Sequence, residues 1–122
     1  MKDFFLKILS READNPDRLY LYSEGNNWYA YEQSACRLKQ VVGECRIQQV
    51  ISLTYEVVLI RAQISDKCLK NELEEFMAFS PGLLVNDTFI EIPLDWQSHV
   101  IFDRWKQTEL ATHLSCVKLE RI

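Results

Sequence analysis

The chain has 122 residues, 48% of them apolar and 26% charged, which suffices to bury one core without a disulfide or metal staple and lies far from the composition of a disordered segment. Its net charge of -4 argues against a domain that grips duplex nucleic acid chiefly through a basic face. Four cysteines with no Cys-x-x-Cys pair, and no apolar run long enough to span a bilayer, leave a soluble, cytoplasmic protein with no metal and no cofactor as the expectation.

Phe4, Phe5, Ile8 and Leu9 recur at helical spacing and predict a helix from Lys2 to Ala13, ended by Asn15-Pro16-Asp17 because proline disfavours helical geometry in the residue before it. The same run is too short and too charged for a secretory leader. Leu19 and Leu21 then alternate with Tyr20 and Tyr22, the period of a strand with two unlike faces. Glu24-Gly25-Asn26-Asn27 is a turn signal, and Trp28 to Tyr31 resumes an extended aromatic run. A helix follows from Glu32 to Val42 with Ala35, Leu38 and Val42 on one stripe and Gly43 as its C-terminal cap.

Cys45 to Leu53 alternates again, with Ile47, Gln49, Ile51 and Leu53 on one face. Tyr55 to Ile64 holds the unbroken run Val57-Val58-Leu59-Ile60, the pattern of a central strand covered on both faces. Ser65 is placed to cap a helix that begins at Asp66 and carries Leu69, Leu73, Phe76 and Met77 on one stripe, stopped by Ser80-Pro81-Gly82. Leu83 to Val85 and Thr88 to Ile92 flank Asn86-Asp87 as a hairpin or one bent strand, closed by Pro93. From Trp96 to Val117 the expectation is helix around Val100, Ile101, Trp105 and Leu110. Together these elements make one α+β domain, a single mixed β-sheet flanked by helices.

Chemistry-bearing patterns are sparse, and no catalytic residue is predicted. His99 and His113 lie in no nucleophile or carboxylate signature. Glu56, Asp87, Glu91 and Asp95 lack the carboxylate spacing with a following lysine that metal-dependent nucleases need. Gly25, Gly43 and Gly82 stand alone at turns, so there is no phosphate-cradling loop. Arg37, Lys39 and Arg46, and separately Arg104 and Lys106, are close in sequence and read either as local basic patches or as ordinary solvated surface. Tyr20, Tyr22, Trp28, Tyr29 and Tyr31 crowd around one turn, and aromatics there serve either as cross-strand core material or as stacking platforms for unpaired bases.

The stretch from Arg18 to Val42 resembles the N-terminal, mismatch-recognition domain of the DNA mismatch repair protein MutS. In that family a strand leads into a turn reading Gly-Asp-Phe-Tyr-Glu and then a helix whose first turn is acidic and contains alanine. Here Leu19 to Tyr22 is similar to the strand, Gly25 to the glycine, Glu32 to Ser34 to the first turn of the helix and Ala35 to its alanine. Val58 to Ile64 and the helix from Ser65 to Phe79 follow in the family order, and Leu83 to Ile92 would be the closing strand. Residues 1–95 carry the resemblance, with 96–122 an extra C-terminal helical segment.

The resemblance implies a MutS N-terminal-domain-like fold and a non-enzymatic binding module whose partner is nucleic acid or a nucleic-acid-processing protein. Its contact residues would be Gly25, Asn26, Asn27, Trp28 and Tyr29. The family reads mismatches by wedging the phenylalanine of Phe-x-Glu into the base stack. Asn27 and Tyr29 stand at those two positions, which implies that mismatch reading is lost. The chain stops before any clamp, lever or ATPase domain and looks like the small accessory proteins encoded beside reverse transcriptases of diversity-generating retroelements. That likeness implies an alternative role: a protein-protein accessory or assembly factor working through the segment around Trp96 and Trp105, with no direct nucleic-acid contact.

Overall fold

The computed structural model describes residues 2–42, 44–53, 55–78, 83–94, 101–112 and 115–118. In chain order the elements are α1 (Lys2–Ala13), β1 (Arg18–Glu24), β2 (Asn27–Tyr31), α2 (Gln33–Val41), β3 (Arg46–Ser52), β4 (Val57–Ser65), α3 (Asp66–Ala78), β5 (Leu84–Val85), β6 (Phe89–Pro93), α4 (Phe102–Leu110) and β7 (Ser115–Lys118). The strands form one seven-stranded sheet in the order β5-β6-β1-β2-β4-β3-β7. Neighbouring strands are antiparallel except β3 and β7, which run parallel. The α+β class with a single mixed sheet is therefore what the chain adopts. No helix among the described residues is long and apolar enough to cross a membrane. Gly43, Phe79, Ser80-Pro81-Gly82, Asp95, Trp96, His99, Val100 and His113 lie outside the described residues, as do the side chains of Phe4, Phe76, Met77, Cys116 and Val117.

Strand alternation sorts the apolar residues onto two faces. One face sends Leu19, Leu21, Trp28, Ala30, Ala62, Ile64, Ile90 and Ile92 into a core completed by Ala35 and Leu38 of α2 and Leu69 and Leu73 of α3. The opposite face packs Tyr22, Tyr31, Val50 and Leu59 against Phe5 and Ile8 of α1. Ser65 does cap α3: its Oγ accepts the Cys68 N–H at 3.1 Å. The β5–β6 connection is a hairpin, turned by Asn86 Oδ1, which accepts the Thr88 and Phe89 N–H groups at 2.9 Å each. This is the Asx-turn device that makes asparagine a turn residue.

A buried polar junction holds α1 on the sheet. Glu12, 6% exposed, accepts at Oε1 from the Ser34 N–H at 3.0 Å and at Oε2 from the Ser34 hydroxyl at 2.6 Å, so its carboxylate meets the first turn of α2. Asn15 Nδ2 donates to Glu12 Oε1 and to the Arg18 carbonyl. Arg37 donates to the carbonyls of Arg18, Asn15 and Pro16. Burial pushes the Glu12 carboxyl up to about 7, against the pull of the Ser34 and Asn15 hydrogen bonds.

Two expectations are corrected. The expected helix from Glu32 starts at Gln33, and Glu32 itself takes a left-handed backbone with φ 52. That conformation is held by one main-chain and one side-chain bond to β4, since the Glu32 N–H donates to Ile60 O at 2.8 Å and the Ile60 N–H donates to the Glu32 carboxylate Oε2 at 3.1 Å. The C-terminal segment is not helical throughout. Helix covers Phe102–Leu110, with Trp105 packed on the core, but Ser115–Lys118 joins the sheet edge beside β3. The segment is thus part of the same sheet and not a purely helical addition.

Candidate functional site

The β1–β2 hairpin pairs Tyr22 with Tyr29, Ser23 with Trp28 and Glu24 with Asn27, leaving Gly25 and Asn26 as its two-residue turn. Gly25 takes φ +64, a left-handed conformation that glycine adopts without steric cost. The Asn26 carbonyl accepts the Asp66 N–H at 2.9 Å, tying the turn to the start of α3.

The five residues expected at the site do not share one surface. Gly25 and Asn26 are exposed at the turn, and Asn27 is half-buried. Trp28 and Tyr29 are adjacent in a strand and so face opposite ways. Trp28 turns into the core beneath α3, where its indole N–H donates to Asp66 Oδ1 at 3.0 Å. That bond also holds the Asp66 carboxyl below the usual range. Tyr29 shares the other face with Asn27.

Beside Tyr29 on that face the register places Gln63 and then Arg46, and in the next row Tyr31, Arg61 and Gln48. Arg61 is the centre of this group. Its guanidinium lies 4.2 Å from the centroid of the Tyr29 ring. Its Nε donates to Gln48 Oε1 at 2.7 Å and its Nη1 to the Tyr31 hydroxyl at 3.3 Å. Gln63 Nε2 donates to the Tyr29 hydroxyl at 3.3 Å. Arg61 is only 7% exposed, yet among the described residues no carboxylate pairs with it. Burial raises the Tyr31 hydroxyl, with Arg61 opposing the rise.

A second cation-aromatic group continues the face. The Arg11 guanidinium lies 4.4 Å from the Phe89 ring centroid and 5.8 Å from that of Tyr22, and its Nη1 donates to the Tyr22 hydroxyl at 3.3 Å. Burial pushes the Tyr22 hydroxyl up to about 12. Of the other basic candidates, Arg37 caps main-chain carbonyls and Lys106 pairs with Glu32 at 2.7 Å, while Arg46 and Arg104 are exposed.

Arg61, Gln63 and Gln48 were not singled out from the sequence. The signal was present, because Leu59, Arg61 and Gln63 alternate with Ile60, Ala62 and Ile64, and a strand covered by apolar layers on both faces does not carry Arg and Gln on one of them. β4 does lie inside the sheet, but one of its faces is polar over this half and Val58 is 39% exposed.

Of the carboxylates considered for metal chemistry, Glu91 pairs with Arg18 at 3.4 Å, and Glu56 and Asp87 are exposed. The ligand-type cluster found among the described residues is Glu44, Cys68 and Glu72, whose donor atoms lie within 4.8 Å of one another. Both carboxylates are exposed, and three donors are one short of a closed tetrahedral site. Comparison with protein-family models, with curated proteins and with solved structures finds no match to this chain.

Proposed function

We propose that this chain is a non-enzymatic binding module, on a scaffold similar to the MutS N-terminal domain, that contacts nucleic acid through the sheet face around Tyr29 and Arg61. The observation that carries the reading is Arg61: a guanidinium 7% exposed, stacked on Tyr29, bonded to neutral partners and paired with no carboxylate among the described residues. Burying a cation without an anion is unfavourable, and a phosphate supplies the missing charge. Arginine planes and tyrosine rings also stack on unpaired bases. With a net charge of -4 a broad phosphate grip is unavailable, so the contact is a short, unpaired segment rather than a long duplex. By the resemblance to the MutS family, Asn27 and Tyr29 stand in for its Phe-x-Glu pair, and neither supplies an apolar wedge or an ionised acceptor. The module therefore binds without mismatch preference.

Fluorescence anisotropy at low salt with labelled single-stranded, duplex and mismatched DNA and with structured RNA tests this. Unpaired strands should bind best, with affinity falling as salt rises. Arg61→Gln should weaken binding about tenfold, in line with the ~1–3 kcal/mol of one stacking contact, while Trp28→Phe on the far face should leave it unchanged. No association with any of these probes would remove the nucleic-acid reading and leave the protein-protein accessory role.

A further inference from the structure

The sheet face opposite Arg61 carries a groove of about 450 Å³ between α3 and the β5–β6 hairpin, walled by Trp28, Leu69, Val85 and Ile90. Beside it β5 forms one edge of the sheet, and its two side chains are unusually open for apolar residues, Leu84 at 49% and Val85 at 53% exposure.

The hydrogen-bonding parity of that edge follows from its turn. The Asn86 N–H donates to the Phe89 carbonyl at 2.9 Å, so Asn86 and Phe89 are a bonded pair. In an antiparallel ladder bonded and non-bonded pairs alternate. The next pair, Val85 with Ile90, is thus non-bonded, and the Val85 N–H and carbonyl point away from β6 toward the open edge. The Val85 side chain lies on the Ile90 face, over the groove. A strand laid along β5 therefore gains main-chain hydrogen bonds from Val85 and projects the residue opposite Val85 onto the groove side, which is the geometry of strand addition.

The rim decides the charge of what fits. Asp66 and Lys70 neutralise one another at 2.9 Å. Glu74, exposed on the groove lining, forms no ion pair among the described residues. The rim therefore presents a net negative charge on a chain that is itself acidic.

We propose that the β5 edge and this groove are a docking site for an extended segment of a partner protein that carries an apolar and a basic residue two positions apart, added as a further strand so that both project to the groove face, the apolar side chain into the groove and the basic one at Glu74. The site is on the opposite face from Arg61 and stands whether or not nucleic acid binds there. Selection from a displayed library of random linear peptides tests it, with synthetic copies of the enriched peptides then measured by anisotropy. The expected result is enrichment of an apolar residue with Lys or Arg two positions away, binding abolished by Val85→Asp and weakened about tenfold by Glu74→Lys, with both variants melting as the parent does. Three results overturn the proposal: no enrichment, enriched peptides that bind the Val85→Asp variant equally well, or a dimer in light scattering that Val85→Asp dissociates. The last would assign the edge to a second copy of this chain.

Discussion

Glu12 offers a quantitative test of how α1 is held, because two opposed effects meet on one carboxylate. Removal from water favours the neutral acid, whereas the Ser34 N–H, the Ser34 hydroxyl and the Asn15 amide all donate to its oxygens and favour the anion. Burial wins, with the group at about 7 against 4.5 for an unburied glutamate. A carboxyl whose folded pKa is raised contributes stability that is full below its unfolded pKa and is lost as pH rises through the folded one. The difference corresponds to about 3 kcal/mol, most of which falls between about pH 5 and about pH 8. Other described groups with shifted values act outside this window: Asp66 and Arg37 are lowered, and Tyr20, Tyr22, Tyr31, Cys36 and Cys45 are raised.

Urea unfolding followed by tryptophan fluorescence at those two pH values, on the parent and on Glu12→Gln, isolates the contribution. Contributions common to both proteins cancel in the difference. The parent should lose about 2–3 kcal/mol more than the variant on going to the higher pH. A difference below about 0.5 kcal/mol, within ordinary non-additivity, would mean that the three donors balance desolvation and that the burial argument is wrong.

Gly25→Ala should cost about 1–2 kcal/mol, all of it conformational, since a Cβ there meets nothing within 4 Å and the backbone sits at φ +64. Gly25→Asn should cost less, because asparagine tolerates that region, and equal stability of all three in urea titration would show that the turn relaxes. Lys106→Met removes the cation from Glu32, whose side chain is 15% exposed, and should cost about 1–2 kcal/mol as a partly unsatisfied charge. Hydrogen exchange should then speed up across Phe102–Leu110 and not across α3, and uniform exchange would show that the pair does not hold α4.

Much of the fold is written in short-range pattern. The period of Phe5 and Ile8 sets α1 at Lys2–Ala13, Ser65 before Asp66 starts α3, and glycine at the Gly25-Asn26 turn closes a hairpin. Each depends on residues within a few positions, so local backbone preference and alternation suffice to reveal it. Alternation also dictates that Trp28 and Tyr29 cannot share a surface, although crowding in sequence makes them look like one cluster.

Only the tertiary structure decides which distant groups meet. Glu12 finds Ser34 at a separation of 22 residues, and Arg61 finds Tyr31 at 30. Neither pairing leaves a local signal, because each depends on strand order and on which helix covers which face. Ser115–Lys118 is strand and not helix because β3 presents a free edge beside it, a fact absent from its own four residues. Arg61 shows the division most clearly: the sequence by itself puts a charge at an alternating position of an interior strand, and packing alone makes that charge buried, stacked on Tyr29 and paired with no carboxylate among the described residues. The physical reason is that element type follows from neighbours along the chain, whereas desolvation and charge pairing follow from neighbours in space.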